Sequence, residues 1–220
     1  MAEEKKDLEP VQEQQPPETE TAEKTENAPE KEPETLETAL YSWGQALITA
    51  VVGVVILFTF IFRLIGVNGP SMQDTLYTGD RLLVINSLLC GEYKQGDVVV
   101  ARNYNADLNE TIVKRIVAVG GQTVDIDFTA GVVYVDGAPL AEPYVKEPTY
   151  KPEGTEFPLT LAEDEVFLMG DNRYRSTDSR SSSLGPVNVG YLQGKAVFLL
   201  IPGQTPDLEA REWDRIGPVR

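Results

Sequence analysis

The alternation of apolar and polar positions divides the chain into three stretches. From Met1 to about Glu37, Glu, Pro, Thr, Gln and Lys dominate and large apolar side chains are almost absent. Burial there cannot offset the entropy of ordering, so residues 1–38 read as a disordered acidic tail. Ala46 to Phe62, ALITAVVGVVILFTFIF, then runs 17 residues without a charge, apolar on every face instead of along one stripe. At about 1.5 Å per residue, a helix of this kind approaches the roughly 30 Å of a hydrocarbon core. Leu64 to Val67 extends the run if Arg63 snorkels to the headgroups, and Tyr41 and Trp43 fit an interfacial aromatic belt. Residues 39–67 are therefore expected to form one transmembrane anchor.

Beyond Asn68 the pattern shortens. Arg81 to Ile85, Asp97 to Arg102, Ile112 to Val119, Thr123 to Ile126, Val132 to Val135, Glu165 to Met169 and Lys195 to Ile201 are runs rich in Val, Ile, Leu and Tyr. Turn residues separate them at Gly120/Gly121, Asp136/Gly137 and Pro202/Gly203, so they read as strands. Some seven short strands with few helical stripes predict a mainly β, antiparallel domain over 68–220. The proline-rich stretch 138–161 is expected to leave it as an irregular excursion.

Composition narrows the chemistry. The net charge of −16 repels phosphate backbones, and with no Lys/Arg cluster nucleic acid is excluded as a partner. There is no histidine and one cysteine, Cys90, so an intrachain disulfide is impossible and the common zinc sets cannot assemble. Asp125 and Asp127 alternate with apolar residues as in a strand, without a calcium loop's glycine spacing. No metal or organic cofactor is expected. Cys90 fits a small buried apolar role, with a reactive thiol as the alternative. A cleaved secretory leader needs a short basic segment before its apolar run, and here an acidic one precedes it, which favours a retained anchor. Charge leaves sidedness open, since Lys24 and Lys31 balance Arg63 and Arg81.

Three segments carry candidate chemistry. GPSMQDTLYTGDRLLV, Gly69 to Val84, places Ser71 at the exit of the anchor. TIVKRIVAVGG, Thr111 to Gly121, sets Lys114 in an apolar strand. GDNRYRSTDSR, Gly170 to Arg180, follows the strand VFLM. Singly, these read as a turn, an edge lysine and a polar loop. Together and in this order, from about Ala46 to Ile201, they resemble the bacterial type I signal peptidases, membrane-anchored serine proteases that remove leader peptides from exported proteins. The single anchor and short insertion look more like the enzymes of Gram-positive bacteria.

The resemblance implies Ser71 as nucleophile, Lys114 as general base, and Ser176 as the group orienting the lysine amine. It also implies that Asp178 and Arg180 pair to steady the loop, with Asp171 and Arg173 in support. Serine with lysine is a known alternative to the histidine triad. The hydroxyl needs a base as it attacks, and lysine serves only when neutral, a form that burial favours. The Ser71 N–H is the natural oxyanion donor. Family members with a serine hydroxyl two residues earlier use it too, and here that position is Gly69. Two further departures are Asp74, where proline is usual, and Arg175, where asparagine is common.

Met72, Leu76, Ile112 and Val113 flank the pair and are expected to shape shallow pockets that admit alanine. An extended substrate is expected to pair with a strand near Lys114. Six residues separate Ser71 from Ile65, so its chemistry must lie near the bilayer surface. That is the level at which a leader peptide presents small residues spaced as in AxA. The expected partners are exported preproteins and the bilayer, with the secretion machinery open; the family places the catalytic domain outside the cytoplasm. Two rivals stand beside this reading: a self-cleaving regulator of the LexA type, disfavoured by the anchor, and a catalytically silent membrane-tethered β domain, disfavoured by Ser71 and Lys114.

Overall fold

The computed structural model describes residues 35–102, 111–205 and 211–219. Most of the tail read as disordered, residues 1–34, lies outside the described residues. Helix α1, Leu36–Ile56, begins where the Thr35 hydroxyl accepts from the Thr38 N–H at 3.4 Å, and Glu37 in its first turn complements the helix dipole. It passes into a wider π turn, Leu57–Ile61. The helical stretch is 26 residues, long and apolar enough to cross a membrane and with none of its most apolar window buried. At 1.5 Å per residue it spans about 39 Å. Compactness divides the chain between Ala46 and Leu47; of the first unit the described residues are Thr35 and the opening turns of α1, and the β domain belongs to the second.

The helix does not continue to Val67, as the apolar pattern led us to expect. Phe62–Gly66 leaves it as strand β1 and pairs antiparallel with β2, Arg81–Asn86, from Phe62↔Ile85 to Gly66↔Arg81. The cause is outside the segment: a partner 15 to 23 residues away satisfies its backbone groups, which a buried or interfacial backbone requires.

The remaining strands are β3 Val98–Arg102, β4 Thr111–Ala118, β5 Thr123–Asp127, β6 Val132–Val135, β7 Ala138–Pro139, β8 Leu159–Thr160, β9 Glu165–Met169, β10 Val187–Asn188, β11 Leu192–Ile201 and β12 Gly217–Pro218. The larger sheet runs β1-β2-β11-β3-β4-β9-β10, with β12 also on β11, and the smaller runs β7-β6-β5-β8. Every pairing between them is antiparallel. The fold class is the mainly antiparallel β domain behind an apolar helix that the pattern predicts. The excursion 138–161 is irregular between its ends, while the ends themselves, β7 and β8, edge the smaller sheet.

Three apolar clusters organise the packing. The first lies under β2, β3 and β11 and includes Met72, Leu76 and Val113. The second fills the space between the smaller sheet and β4 and β9, around Val124, Val133 and Phe167. The third covers the opposite face of β3, β4 and β9, around Val99, Ile116 and Leu168. Strands β4 and β9 are therefore buried on both faces. A polar side chain in the middle of β4 is held away from water by the topology itself.

Candidate active site

Lys114 is that side chain. It sits on β4 opposite Val99 and is 4% exposed. Its neighbour Arg115 is opposite Val98, so the two basic residues point to opposite faces of the sheet. The β4–β9 ladder ends at Arg115↔Met169, and the next residues on the two chains are Lys114 and Gly170. At Gly170 the backbones close up: a Cβ there would collide with the Ser176 hydroxyl and come within 2.5 Å of the Ser71 carbonyl oxygen. Only glycine leaves room for both serines just past the end of β9.

Ser71 opens the turn after β1 and is half-buried. Its carbonyl accepts from the Asn172 N–H at 3.0 Å, and Leu76 N–H closes the turn on the Met72 carbonyl at 2.8 Å. Met72 and Leu76 are each 1% exposed and belong to the same cluster as Val113, the residue before Lys114. The turn is thus pinned from beneath by apolar side chains. Met72 and Leu76, expected to shape substrate pockets, are almost without exposed surface in this structure. Val113 is buried with them and Ile112 is half-buried against the third cluster. The Gly69 N–H donates to Thr78 Oγ1 at 3.1 Å, so it is engaged within the turn.

The loop 170–180 is a buried polar network. Asp178 accepts from Arg180 Nε at 2.8 Å and Nη2 at 2.9 Å, from the Gly170 N–H at 3.0 Å and from the Ser176 hydroxyl at 2.7 Å. Burial pushes the Asp178 carboxyl up, but the Arg180 guanidinium and these donors outweigh it and hold the group below the usual carboxylate range. Burial likewise opposes the Arg180 charge, and Asp178 more than restores it. With its proton on Asp178, Ser176 presents lone pairs on its remaining side.

Asp171 and Arg173 support the loop through separate partners. Asp171 accepts from Arg115 Nε at 2.9 Å and Nη2 at 2.7 Å and from Thr75 Oγ1 at 2.6 Å, joining β4 to the Ser71 turn. Arg115 also lies over the Tyr144 ring, 3.9 Å from its centroid. Burial, aided by Glu142, raises the Tyr144 hydroxyl well above its ordinary range, so the phenol stays neutral and donates to Glu142 Oε1 at 3.2 Å. Arg173 reaches into the excursion, pairing with Glu142 and donating to Thr149. Sequence reasoning assigned no role to Arg115, Thr75 or Glu142, although Arg115 directly follows Lys114 and Thr75 lies in the Ser71 segment.

Residues 40–201 match the signal peptidase, peptidase S26 family. The chain belongs to that family. It is 34% identical over 172 residues to "Signal peptidase I" of Bacillus licheniformis, covering 74% of this chain and 90% of that protein. It is 32% identical over 168 residues to "Signal peptidase I T" of Bacillus subtilis strain 168, covering 73% and 84%. The crystal structure of a signal peptidase I from Enterococcus faecalis V583 is 25% identical, with a TM-score of 0.40 over 47% of this chain and 96% of that one. The sequence matches carry the assignment to a serine peptidase of the signal peptidase I type, and all three signature segments lie within the matched span.

Proposed function

We propose that this peptidase is anchored by α1 and removes signal peptides from exported preproteins on the outer face of the membrane, using Ser71 and Lys114. One observation supports this above the others: a 4% exposed lysine stands one residue beyond the end of the β4–β9 ladder, as Gly170 does on the other strand, and Ser71 and Ser176 pack against that glycine. General-base chemistry requires Lys114 to act as a neutral amine, the form that burial favours.

The Ser71 hydroxyl attacks the carbonyl of the scissile bond while its proton passes to Lys114. The tetrahedral oxyanion is held by the Ser71 N–H. Lys114 then protonates the departing amine of the mature chain, leaving the signal peptide as an ester on Ser71. Water, deprotonated by the same amine, hydrolyses the ester and restores the serine. Ser176 keeps the lysine aimed, being itself fixed by Asp178. Small residues at an AxA-like site meet the requirement of a substrate strand laid close against β4. The helix places this chemistry at the lipid boundary, because Ser71 is 10 residues beyond the end of the apolar helix at Ile61 and part of that distance folds back as β1.

The test is cleavage in trans of a preprotein carrying an AxA site by purified full-length protein. Ser71→Ala and Lys114→Met should abolish cleavage while leaving thermal unfolding near wild type. Because Lys114 must be neutral to accept the serine proton, the wild-type rate should rise with pH. Undiminished cleavage by either variant, or cleavage confined to the chain itself, would overturn the reading.

A further inference from the structure

The segment that follows the family match, beyond residue 201, returns to the stretch directly after Ser71. Two contacts make the return. Gly203 donates its N–H to Asp80 Oδ1 at 2.6 Å. A Cβ at this position would collide with the Thr78 carbonyl and lie 2.8 Å from the Asp80 nitrogen. Twelve residues later Arg215 closes the same stretch. Its guanidinium donates to Asp80 Oδ1 at 3.1 Å and Oδ2 at 2.7 Å, and to the Thr75 carbonyl at 3.3 Å. It also covers the Tyr77 ring, 4.4 Å from the centroid. β12 on β11 fixes the segment from its other side, with Phe198↔Pro218 and Leu199↔Gly217 in register.

Asp80 is fully buried and organises the turn from within: its Oδ2 accepts from the Tyr77 N–H at 2.9 Å, and its backbone pairs with Val67 at 2.9 Å. A buried carboxylate needs a cation with hydrogen-bonding geometry, and Arg215 meets both oxygens with its fork. The same fork holds Thr75, whose hydroxyl binds Asp171 at 2.6 Å. The nucleophile's turn is thereby gripped at Thr75 from two directions, by the loop 170–180 and by the C-terminal segment.

We propose that Arg215 is a positioning residue for the Ser71 turn, through which the C-terminal segment sets the placement of the nucleophile. The proposal rests on the peptidase reading for its kinetic consequence but not for its structural one. A displacement near 1 Å at a reacting group costs on the order of a hundredfold in rate. Loss of one of two grips should therefore lower kcat of full-length Arg215→Met by about tenfold with KM within about twofold. Amide exchange at Leu76 and Gly79 should accelerate by about tenfold, while exchange at Val124 and Val133 in β5 and β6 stays at the wild-type rate, because openings there are independent. Arg215→Lys supplies the charge without the fork, so its kcat should fall between the two, at about a third of wild type.

An unchanged kcat in folded Arg215→Met overturns the proposal, as does equal acceleration at all four amides. If Arg215→Met does not fold, an unchanged kcat in Arg215→Lys overturns it. Should the wild-type protein cleave no preprotein, the peptidase reading fails, while the exchange comparison still decides whether Arg215 holds the turn.

Discussion

Strands β4 and β9 take part in two neighbourhoods of opposite character. Toward one end they meet the loop 170–180, where Asp178, Arg180, Asp171, Arg115 and Arg173 are all buried and held by charge-assisted hydrogen bonds. Toward the other they pack on the smaller sheet through Val117, Ala118 and Phe167, with Phe157 edge-on to Phe167 at 5.8 Å. The apolar side gains stability from area and shape and tolerates small adjustments. The polar side bears desolvation costs that its ion pairs only offset, and in return its directional bonds admit a single arrangement. Stability and geometry are thus supplied by different ends of the same two strands.

The sharpest way to break this division is Arg180→Met. It strands the Asp178 carboxylate in the interior, and the expected loss is about 3–5 kcal/mol, read by thermal or denaturant unfolding of the full-length protein, with cleavage falling as well. Replacing both partners, Asp178→Leu with Arg180→Met, should cost less stability than the single change. If the double variant is the less stable, the pair contributes more than specific geometry and the division is wrong.

How much of this was legible beforehand follows the same line. Val132–Val135 and Glu165–Met169 are found at their predicted bounds, because a run of β-branched and apolar residues between turns is a local signal. β1 was hidden, since Phe62–Gly66 continues the composition of the helix and its partner lies elsewhere. The two-residue strands β7, β8, β10 and β12 have no run to read. Ser71 and Lys114 stand out as motifs. Arg115 with Asp171, 56 residues apart, and Arg215 with Asp80, 135 apart, do not, because pairing over such separations leaves no trace in local pattern.

On the apolar side, Phe167→Leu should lower stability by about 1–2 kcal/mol, the order for removing part of a buried aromatic. Its kcat, measured on folded protein, should stay within about twofold of wild type, because no directional bond to the site is lost. A kcat loss matching that of Arg180→Met would mean the two neighbourhoods are mechanically one.

Acid separates the two ends. Asp178 is held below the ordinary carboxylate range in the folded state. Its contribution is present above the unfolded value of about 3.9 and is lost as pH falls from there through the lower folded value. In Arg180→Met burial, the largest cause, is opposed only by the Gly170 and Ser176 donors, and the carboxyl is expected to rise. That variant should then lose less on acidification than wild type, so the gap between their unfolding curves narrows from pH 7 toward about pH 4. Phe167→Leu, carrying no change in titration, should keep a constant gap. A constant gap for Arg180→Met would show that Asp178 is not what its guanidinium stabilises.

The smallest effect is expected where the same chemistry is brought to the surface. Lys146 donates to Asp74 at 3.1 Å and so links the excursion to the Ser71 turn, as Arg115 and Asp171 link β4 to it. Both of these side chains are well exposed, at 39% and 60%. Water screens such a pair and the long lysine must be immobilised to make it, so Asp74→Ala should cost no more than about 1 kcal/mol. The residual difference should vanish near 1 M salt, where the screening length falls to about 3 Å. kcat should move by less than about twofold. If Asp74→Ala instead approached the loss of Arg180→Met, a bridge between the two loops would matter more than the burial of its charges, and the contrast drawn between the two ends of β4 and β9 would have to rest on connectivity.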